Sequence, residues 1–308
     1  MKTKPIAEWL AEARRLILDN RLQPGQQDEP KGDAVPPPAV REAALEAGLE
    51  AQLLLSTVLE KPRAWLIAHA ETEINAQQQM RLDRLLEQLL AGIPLPYLLG
   101  HWEFYGLAFA VSPAVLIPRP ETELLVERAI AWLRDHPGPR AAADVGTGSG
   151  CIAISIASQC SQVQIIATDI SWGALQVARQ NARRHGVSQR MHLVQGNLLS
   201  AAAGTFDLVC ANLPYIPRAA LAELSVARHE PRLALDGGPD GLAPIQTLLA
   251  DAHRWLAPGG LLLLEMQFDQ GEAIQQIAQR FLINPRITIH PDLAGLPRLV
   301  EIEHINKN

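Results

Sequence analysis

Apolar and polar residues alternate with the period of an α-helix through the first third of the chain. Side chains such as Ile6, Trp9 and Ala13 stand three or four positions apart, on one predicted helix face. Four stretches show this spacing: residues 5–20, 39–59, a short helix that begins after Pro62, and 75–91. Residues 1–91 contain no stretch with the period of a strand, so we predict a small all-helical bundle.

Beyond Pro118 the pattern changes to short apolar runs that alternate with amphipathic stretches. The predicted strands are 141–145, 163–168, 191–195, 206–211 and 260–265, and the predicted helices are 120–134, 149–159, 171–185 and 241–256. This alternation is typical of an α/β fold with a doubly wound, mainly parallel sheet, similar to the Rossmann arrangement. Two final strands, 287–289 and 299–304, have no helix between them and predict an antiparallel hairpin at the sheet edge.

Two segments rich in proline and glycine separate these regions. Residues 24–38 also carry many charges, which predicts a long loop within the helical region. Residues 92–117 place glycine and proline between short apolar pieces, which predicts a β-hairpin or an extended linker. We therefore predict a helical domain at 1–91, a hairpin linker at 92–117 and an α/β domain at 118–308.

Composition narrows the possible functions of the 308 residues. The formal net charge is −6, no run of Lys or Arg is present, and acidic residues outnumber basic ones within 1–91. These features argue against nucleic acid as a direct partner. The three cysteines, Cys151, Cys160 and Cys210, lack C-x-x-C spacing, and no His/Cys ligand pattern occurs. We therefore expect reduced cysteines and no metal.

The beginning of the chain does not resemble a signal peptide. Lys2 and Lys4 are followed by Glu8 and Glu12 instead of an apolar segment. The longest aliphatic run, residues 261–264, is far too short to span a bilayer. We predict a cytoplasmic protein without a membrane partner.

A glycine-rich turn directly follows the strand 141–145 and opens the next helix. Its sequence is Asp-Val-Gly-Thr-Gly-Ser-Gly, residues 144–150. Glycines let the backbone turn sharply and approach a ligand closely. The G-x-G-x-G spacing differs from that of P-loops and disfavours an NAD oxidoreductase. We predict a ligand without a pyrophosphate, contacted by Gly146, Thr147, Gly148, Ser149 and Gly150.

The next two strands also end in polar residues. Asp169 follows the strand 163–168, where a carboxylate can accept hydrogen bonds from both hydroxyls of a ribose, although it could also cap the following helix. Gln195-Gly196-Asn197-Leu198 ends the third strand, and its residues either flank an adenine or form a simple turn.

The fourth strand ends in Asn212-Leu213-Pro214-Tyr215. The Asn side-chain oxygen and a backbone carbonyl can accept both hydrogens of a planar NH2 group, while the aromatic ring covers one face. All four strand ends meet at the carboxyl edge of the sheet, where open α/β folds bind ligands. A nucleoside site beside an NH2 clamp predicts group transfer to nitrogen, and S-adenosylmethionine (SAM) is the donor that fits best.

In this order the four motifs resemble the class I SAM-dependent methyltransferases. Residues 212–215 are similar to the Asn-Pro-Pro-Tyr signature of amino-group methyltransferases. Further segments resemble the release-factor glutamine methyltransferases, the HemK family: Phe104–Gly106, Leu116–Glu123, Glu230–Leu235 and Asp236–Gly238. The helical domain resembles that family too, and the resemblance covers the chain except residues 24–38.

This resemblance implies methylation of the glutamine side-chain nitrogen in the Gly-Gly-Gln motif of class I peptide-chain release factors. It implies that residues 146–150 hold the methionine part of SAM, that Asp169 holds the ribose, and that Leu198 lies at the adenine. It also implies that four residues hold the glutamine amide: Asn212, Leu213, Pro214 and Tyr215. Of these, Asn212, Pro214 and Tyr215 would act in catalysis, and Asn212 would also contact the cofactor. Arg119 and Glu121 would shape the pocket floor.

Three positions depart from the family pattern. Leu213 replaces the first Pro of the signature, Asn197 stands where an acidic residue is common, and no glycine follows Glu265. Other functions use the same clamp. A sibling enzyme could methylate a glutamine of a ribosomal protein, and a nucleic-acid amino-methyltransferase could act on a flipped base. An adaptor could bind the nucleoside and transfer nothing.

Overall fold

The computed structural model describes residues 4–22 and 37–304. The chain divides into two compact units, Met1–Gly100 and His101–Asn308. The predicted loop 24–38 lies outside the described residues except for its last two positions, which begin the second helix. The predicted boundaries at 91/92 and 117/118 stay a prediction.

The described part of the first unit is built from α-helices around one apolar core. The helices are α1 (Ile6–Arg21), α2 (Pro38–Leu59), α3 (Arg63–Ala68), α4 (Ala76–Leu90) and α5 (Leu95–Leu99). Trp9, Leu54 and Leu82 are among the side chains fully buried in this core. The first four helices lie where the helical spacing of the sequence predicted them, which confirms that prediction. The fifth lies where a hairpin or linker was predicted, and it ends at Gly100, whose left-handed backbone stops the helix.

A short pair of strands in the first unit shows that the expectation of no strand was wrong. Strand β1 (Lys4–Pro5) pairs antiparallel with β2 (Glu73–Ile74). Each strand is only two residues long, so neither leaves a period-two pattern in the sequence.

The second unit contains a hairpin and a seven-stranded sheet. The hairpin strands are β3 (His101–Phe104) and β4 (Leu107–Ala110). The sheet strands are β5 (Arg140–Val145), β6 (Val163–Asp169), β7 (Met191–Gln195), β8 (Phe206–Ala211), β9 (Leu256–Glu265), β10 (Arg286–Pro291) and β11 (Pro297–Glu303). Their order is β10-β11-β9-β8-β5-β6-β7. The five strands β5 to β9 run parallel, and β11 is antiparallel to β9 and β10, which confirms the predicted sheet with an antiparallel edge.

Helices cover both faces of this sheet. They are α6 (Thr122–Asp135), α7 (Cys151–Gln159), α8 (Trp172–Arg184), α9 (Ala243–Ala250), α10 (Ala252–Trp255) and α11 (Gly271–Phe281). Successive residues of β8 enter two different apolar clusters: Leu208 packs with residues of α6 and α7, and Val209 packs with residues of α9 and α11. Successive side chains of a strand point to opposite faces of the sheet. Because both faces are covered here, residues 208–211 of β8 are all buried, which explains the continuous apolar run in the sequence.

One helical prediction for this unit was wrong in detail, and one helix was not predicted. The single helix predicted for 241–256 is two helices, α9 and α10, separated by Asp251. Helix α11 was not predicted, because it follows Gln270 without a capping side chain and begins with a glycine. In the described ranges, no helix is long and apolar enough to cross a membrane.

Candidate active site

A cavity of about 260 Å³ opens at the carboxyl ends of the parallel strands β5, β6, β7 and β8. Nine of the predicted site residues line it: Gly146, Thr147, Gly148, Ser149, Asp169, Leu198, Asn212, Leu213 and Pro214. Two others, Gly150 and Tyr215, do not line it. The convergence of parallel strand ends therefore brings most of the predicted residues around one space.

The buried carboxyl of Asp144 anchors the glycine turn. Its Oδ2 accepts a hydrogen bond of 2.6 Å from the Thr147 hydroxyl and one of 3.2 Å from the Ala153 N–H. Burial raises the pKa of Asp144 to about 6. Gly150 packs closely at the start of the helix, since a Cβ there would lie 2.9 Å from the Ile154 side chain, and its contact with a ligand stays a prediction.

Asp169 joins the ends of two neighbouring loops. Its Oδ2 accepts the Gly148 N–H at 2.9 Å, and its Oδ1 accepts the Ser171 N–H at 2.8 Å. Burial raises the pKa of this carboxyl, and the backbone donors lower it. Each carboxylate oxygen can accept more than one hydrogen bond, so Asp169 can still receive hydroxyl donors from the cavity.

Leu198 lines the cavity in an unusual backbone conformation. Its φ is 53°, in the left-handed region that costs a residue with a side chain roughly 1–2 kcal/mol. Conformations of this kind persist where the surrounding structure holds them, and they cluster at ligand sites. Gly196 and Asn197 line the cavity beside it.

The amide of Asn212 is oriented by Thr122, the buried first residue of α6. Asn212 Nδ2 donates to the Thr122 hydroxyl over 3.1 Å. In residues 4–22 and 37–304, no donor reaches Asn212 Oδ1 or the main-chain oxygen of Pro214. Two acceptors on cavity-lining residues are therefore left without a protein donor.

Tyr215 does not line the cavity, and its hydroxyl donates to Glu265 Oε1 over 3.4 Å. Burial and the neighbouring Glu265 raise the pKa of Tyr215. Its main-chain oxygen accepts the Gln270 side-chain amide at 3.0 Å, and the same amide donates to the Gly241 oxygen at 3.3 Å. The Tyr215 backbone is thus fixed by residues that follow β8 and β9.

Glu265 is the last residue of β9 and is 3% exposed. Burial raises its pKa to about 7, and the Thr122 hydroxyl opposes that rise. The Tyr215 hydroxyl also lowers the pKa of Glu265. Oε2 of Glu265 is sealed from solvent and accepts no well-formed hydrogen bond from the described residues. Such an oxygen is costly unless a donor approaches it.

One of the residues that line the cavity, Arg119, belongs to an ion pair. Glu230, which is 6% exposed, accepts the Arg119 guanidinium at 2.5 Å and the Ile117 N–H at 3.1 Å. Arg119 lines the cavity as the resemblance implied, whereas Glu121 is exposed and does not. Glu230 therefore joins the segment 116–123 to the segment 230–235, both of which contribute lining residues.

The arrangement is suited to a nucleoside-containing ligand and a small planar polar group. A Cβ on Gly148, which lines the cavity, would meet no atom within 4 Å. The turn thus leaves open space for a ligand beside its backbone, which fits SAM. Among the described residues, no group of three or more His, Cys, Asp or Glu side chains could hold a metal ion.

Sequence reasoning missed the roles of Thr122, Glu230, Glu265 and Gln270. One signal was available for Glu265, since it is a carboxylate at the end of an apolar strand in a parallel sheet. The position of Gln270 carries no comparable signal, because the residue lies between a strand end and a helix that was not predicted.

Comparisons with known proteins agree with this geometry. Residues 40–100 match the PrmC N-terminal domain, and residues 122–229 match the methyltransferase small domain. The release factor glutamine methyltransferase of Moorella thermoacetica is 45% identical over 81% of this chain and 89% of its own length. The chain belongs to the release factor glutamine methyltransferase family. The enzyme of that name from Bordetella pertussis is 42% identical over 82% of this chain and 93% of its own length.

Membership of this family confirms the resemblance seen in the motifs. A solved structure of the hMettl16 catalytic domain covers 76% of this chain and 84% of its own, with a TM-score of 0.55. At 13% identity it shows a shared fold alone. Together with the methyltransferase small domain, it supports the class I methyltransferase architecture predicted from the alternation of strands and helices.

Proposed function

We propose that this protein transfers a methyl group from SAM to the side-chain nitrogen of the glutamine in the Gly-Gly-Gln motif of class I release factors. The observation that carries the proposal is the pair of free acceptors, Asn212 Oδ1 and the Pro214 main-chain oxygen, on residues that line the cavity. They match the two hydrogens of a primary amide. Family membership supports release factors as the substrate class.

SAM is the proposed cofactor, and the lining residues divide between its parts. Residues 146–149 would hold the methionine portion, Asp169 the ribose hydroxyls, and Leu198 the adenine, while Asn212 would contact the cofactor from the opposite side. When bound, SAM supplies a methyl group on a positively charged sulfur, which is already electrophilic. The protein is left to position the nucleophile.

An amide nitrogen is a weak nucleophile because its lone pair is shared with the carbonyl group. Holding the amide in line with the methyl group can supply up to roughly 7–11 kcal/mol of barrier reduction in ideal cases. The two acceptors would stabilise positive charge as it develops on the nitrogen. The proton can leave after transfer, so the scheme needs no strong base.

Leu213 fits the clamp although it replaces a proline of the family signature. Its side chain is buried, and a Cβ on Gly146 would lie 3.4 Å from Leu213 Cδ2. Leu213 would therefore couple the amide clamp to the glycine turn by packing.

Tyr215 would cover the plane of the substrate amide if its ring moved toward the cavity. In its present position the ring would act on the site through the hydrogen bond between its hydroxyl and Glu265. No observation favours a ribosomal-protein glutamine or a nucleobase as the substrate, and we propose the cytoplasm as the location.

The decisive experiment incubates the protein with isotope-labelled SAM and a purified class I release factor. Mass spectrometry of the peptide that contains Gly-Gly-Gln should show one added methyl group on the glutamine. A release factor with Ala in place of that glutamine is the matched control and should gain none. Label in a ribosomal protein or an oligonucleotide, with none in the release factor, would contradict the proposal.

A further inference from the structure

The side-chain amide of Gln270 connects three loops of the second unit. Its Nε2 donates to the main-chain oxygen of Tyr215 over 3.0 Å and to that of Gly241 over 3.3 Å. Its Oε1 accepts the main-chain N–H of Gln267 over 3.0 Å. The residue is 7% exposed, and both hydrogens of its NH2 group and its amide oxygen have protein partners. One buried side chain thus joins the loop after β8 to the loops before α9 and after β9.

The two main-chain oxygens depend on this amide. Within residues 4–22 and 37–304, neither the Tyr215 oxygen nor the Gly241 oxygen accepts a hydrogen bond from another donor. Both lie in a closely packed region, since a Cβ on Gly241 would lie 2.3 Å from the Tyr215 oxygen and 2.8 Å from Gln270 Nε2. A carbonyl left without a donor in such a region is costly, so loss of the amide should let the Tyr215 main chain shift.

The Tyr215 main chain in turn carries the peptide bond whose oxygen belongs to Pro214. A peptide bond is planar, so its oxygen changes direction only when the backbone turns at one of the two flanking Cα atoms. One of these is the Tyr215 Cα, and a Cβ on Gly237 would lie 2.8 Å from it. The Pro214 oxygen accepts no hydrogen bond from the described residues, so no bond of its own fixes its direction. That direction is therefore set by how the neighbouring backbone is held.

We propose that Gln270 is a positioning residue for methyl transfer, which fixes the direction of the Pro214 main-chain oxygen through the main chain of Tyr215. Gln270 is not among the residues that line the cavity, so it acts without contact to the proposed substrate. The inference rests on the proposed function, in which the Pro214 oxygen accepts one hydrogen of the substrate amide. Hydrogen bonds weaken steeply when their angle is distorted, so a turned carbonyl would stabilise the transition state less well.

The hydrogen-bonding pattern at this position requires an amide. The side chain must donate two hydrogen bonds and accept one, whereas a carboxylate can only accept and an ammonium or guanidinium group can only donate. An Asn amide has the same groups but is one CH2 shorter. Gln is thus the residue whose amide can meet all three partners from this point of the backbone.

The test compares two variants of the full chain by methylation of a class I release factor. Gln270→Met keeps the length of the side chain and removes all three hydrogen bonds, and we expect kcat to fall by about 10- to 100-fold. KM for the release factor and Kd for SAM should both stay within about threefold of wild type, because no cavity-lining residue changes.

Gln270→Glu is the second variant, which keeps the shape and the acceptor for the Gln267 N–H. A protonated carboxyl can donate one hydrogen bond to the Tyr215 oxygen, whereas an ionised one donates none. The ratio of kcat in Gln270→Glu to kcat in wild type should therefore fall by about tenfold as the pH is raised through the pKa of the introduced carboxyl. Kd for SAM, measured at each pH, should stay constant and shows that folded protein is compared.

Two controls separate positioning from general damage. Gln276→Met makes the same exchange at an exposed position of α11, and Ile302→Val weakens the packing of the core on β11. Both should keep kcat within about threefold of wild type. An equal fall of kcat in Ile302→Val and Gln270→Met would overturn the inference.

A spectroscopic readout reports on the Pro214 carbonyl itself. The chain contains the Pro-Tyr pairs Pro96-Tyr97 and Pro214-Tyr215. In protein labelled with 13C-carbonyl proline and 15N-tyrosine, a carbonyl–nitrogen correlation therefore shows these peptide bonds alone. The Pro214-Tyr215 signal should shift in Gln270→Met and stay in both controls, while the Pro96-Tyr97 signal should stay in every variant.

The combined outcomes separate this inference from the proposed function. An unmoved Pro214-Tyr215 signal in Gln270→Met would overturn the inference, whether or not kcat falls. A kcat within about threefold of wild type in both Gln270 variants would overturn it as well. If the signal shifts but wild-type protein methylates no release factor, the proposed function alone is overturned.

Discussion

The main chain of Tyr215 passes so close to Gly241 that no side chain fits between them. A Cβ on Gly241 would lie 2.3 Å from the Tyr215 main-chain oxygen. Gly237 lies equally close to the same residue, since a Cβ on Gly237 would lie 2.8 Å from the Tyr215 Cα. The Ile216–Asp236 bridge joins the same two segments. The loop that follows the clamp is thus fixed against a glycine-rich loop 20 to 30 residues later in the chain, and Gln270 hydrogen-bonds both.

Replacement of Gly241 by Ala should therefore displace the main chain of Tyr215 and, with it, the proposed NH2 clamp at residues 212–215. Gly241 has φ +81°, so Ala there carries a backbone cost of about 1–2 kcal/mol and an overpacking cost of about 1–3 kcal/mol. We expect the free energy of unfolding, measured in urea, to fall by about 2–5 kcal/mol and methyl transfer to fall with it. Gly204 is the control, because it has φ +91° and open space for a Cβ. Equal losses in Gly204→Ala and Gly241→Ala would contradict a role for the close contact.

Asp169→Asn should mainly weaken cofactor binding. The exchange turns one acceptor oxygen into a donor, where the carboxylate is proposed to accept ribose hydroxyls and does accept the Gly148 and Ser171 N–H groups. Hydrogen bonds to charged groups contribute about 1.5–3 kcal/mol each, so Kd for SAM measured by calorimetry should rise by roughly 10- to 100-fold.

Asp207→Asn is the matched control for Asp169→Asn. Asp207 also accepts a main-chain N–H, from Ala141, but it lies at the start of β8, whereas Asp169 lies at the end of β6. The control should leave the Kd for SAM within about threefold. An unchanged Kd in Asp169→Asn would remove the ribose assignment, and an equal rise in both variants would point to general destabilisation.

The sequence was sufficient to predict where the cavity lies but not how its walls are held. Strand ends could be located because apolar runs stop at glycine, Asp169 or the Asn212–Tyr215 motif, and parallel strands must end at one edge. The bond between Asn212 and Thr122 joins residues 90 positions apart, and no periodicity encodes such a pair. The close approach of Gly241 to Tyr215 could not be predicted from the sequence either, because a glycine in a loop can have many structural reasons.

Local signals also explain the errors at element boundaries. Asp251 breaks a helix whose apolar spacing continues across it, so the pattern predicted one helix where two exist. Helix α11 has a strongly apolar face with Ile274 and Ala278 buried, but nothing marks its start. Both errors concern the face of the sheet away from α6 and leave the cavity unaffected.

Asn212→Ala should slow the transfer step far more than it weakens cofactor binding. Loss of one positioned acceptor costs about 2–4 kcal/mol of transition-state stabilisation, which corresponds to roughly 30- to 1000-fold in kcat. Single-turnover methylation of a release factor measures this directly. Asn20→Ala removes an exposed Asn that hydrogen-bonds the Leu90 main chain in the helical unit, and it should keep full activity. Turnover of Asn212→Ala within threefold of wild type would remove Asn212 from the mechanism.

Glu265 should make the protein less stable as the pH rises. Burial is the main cause that raises the pKa of Glu265 from 4.5 to about 7; Glu121 adds to it, and Thr122, Tyr215 and Arg298 oppose it. Between these values the folded protein binds the proton and the unfolded chain releases it. The contribution to stability is therefore full below pH 4.5 and is lost as the pH passes through about 7, amounting to about 3 kcal/mol.

Glu265→Gln should abolish this dependence because its amide does not titrate. Urea unfolding at pH 5 and pH 8 should show the variant gaining up to about 3 kcal/mol relative to wild type at the higher pH. Glu301→Gln is the contrasting variant. Glu301 pairs with Arg128 at 2.7 Å, so its replacement should destabilise the protein at both pH values by leaving that guanidinium without its partner. A Glu265→Gln protein whose stability tracks wild type across this range would show that the buried carboxyl stays ionised, and that the clamp carries no such cost.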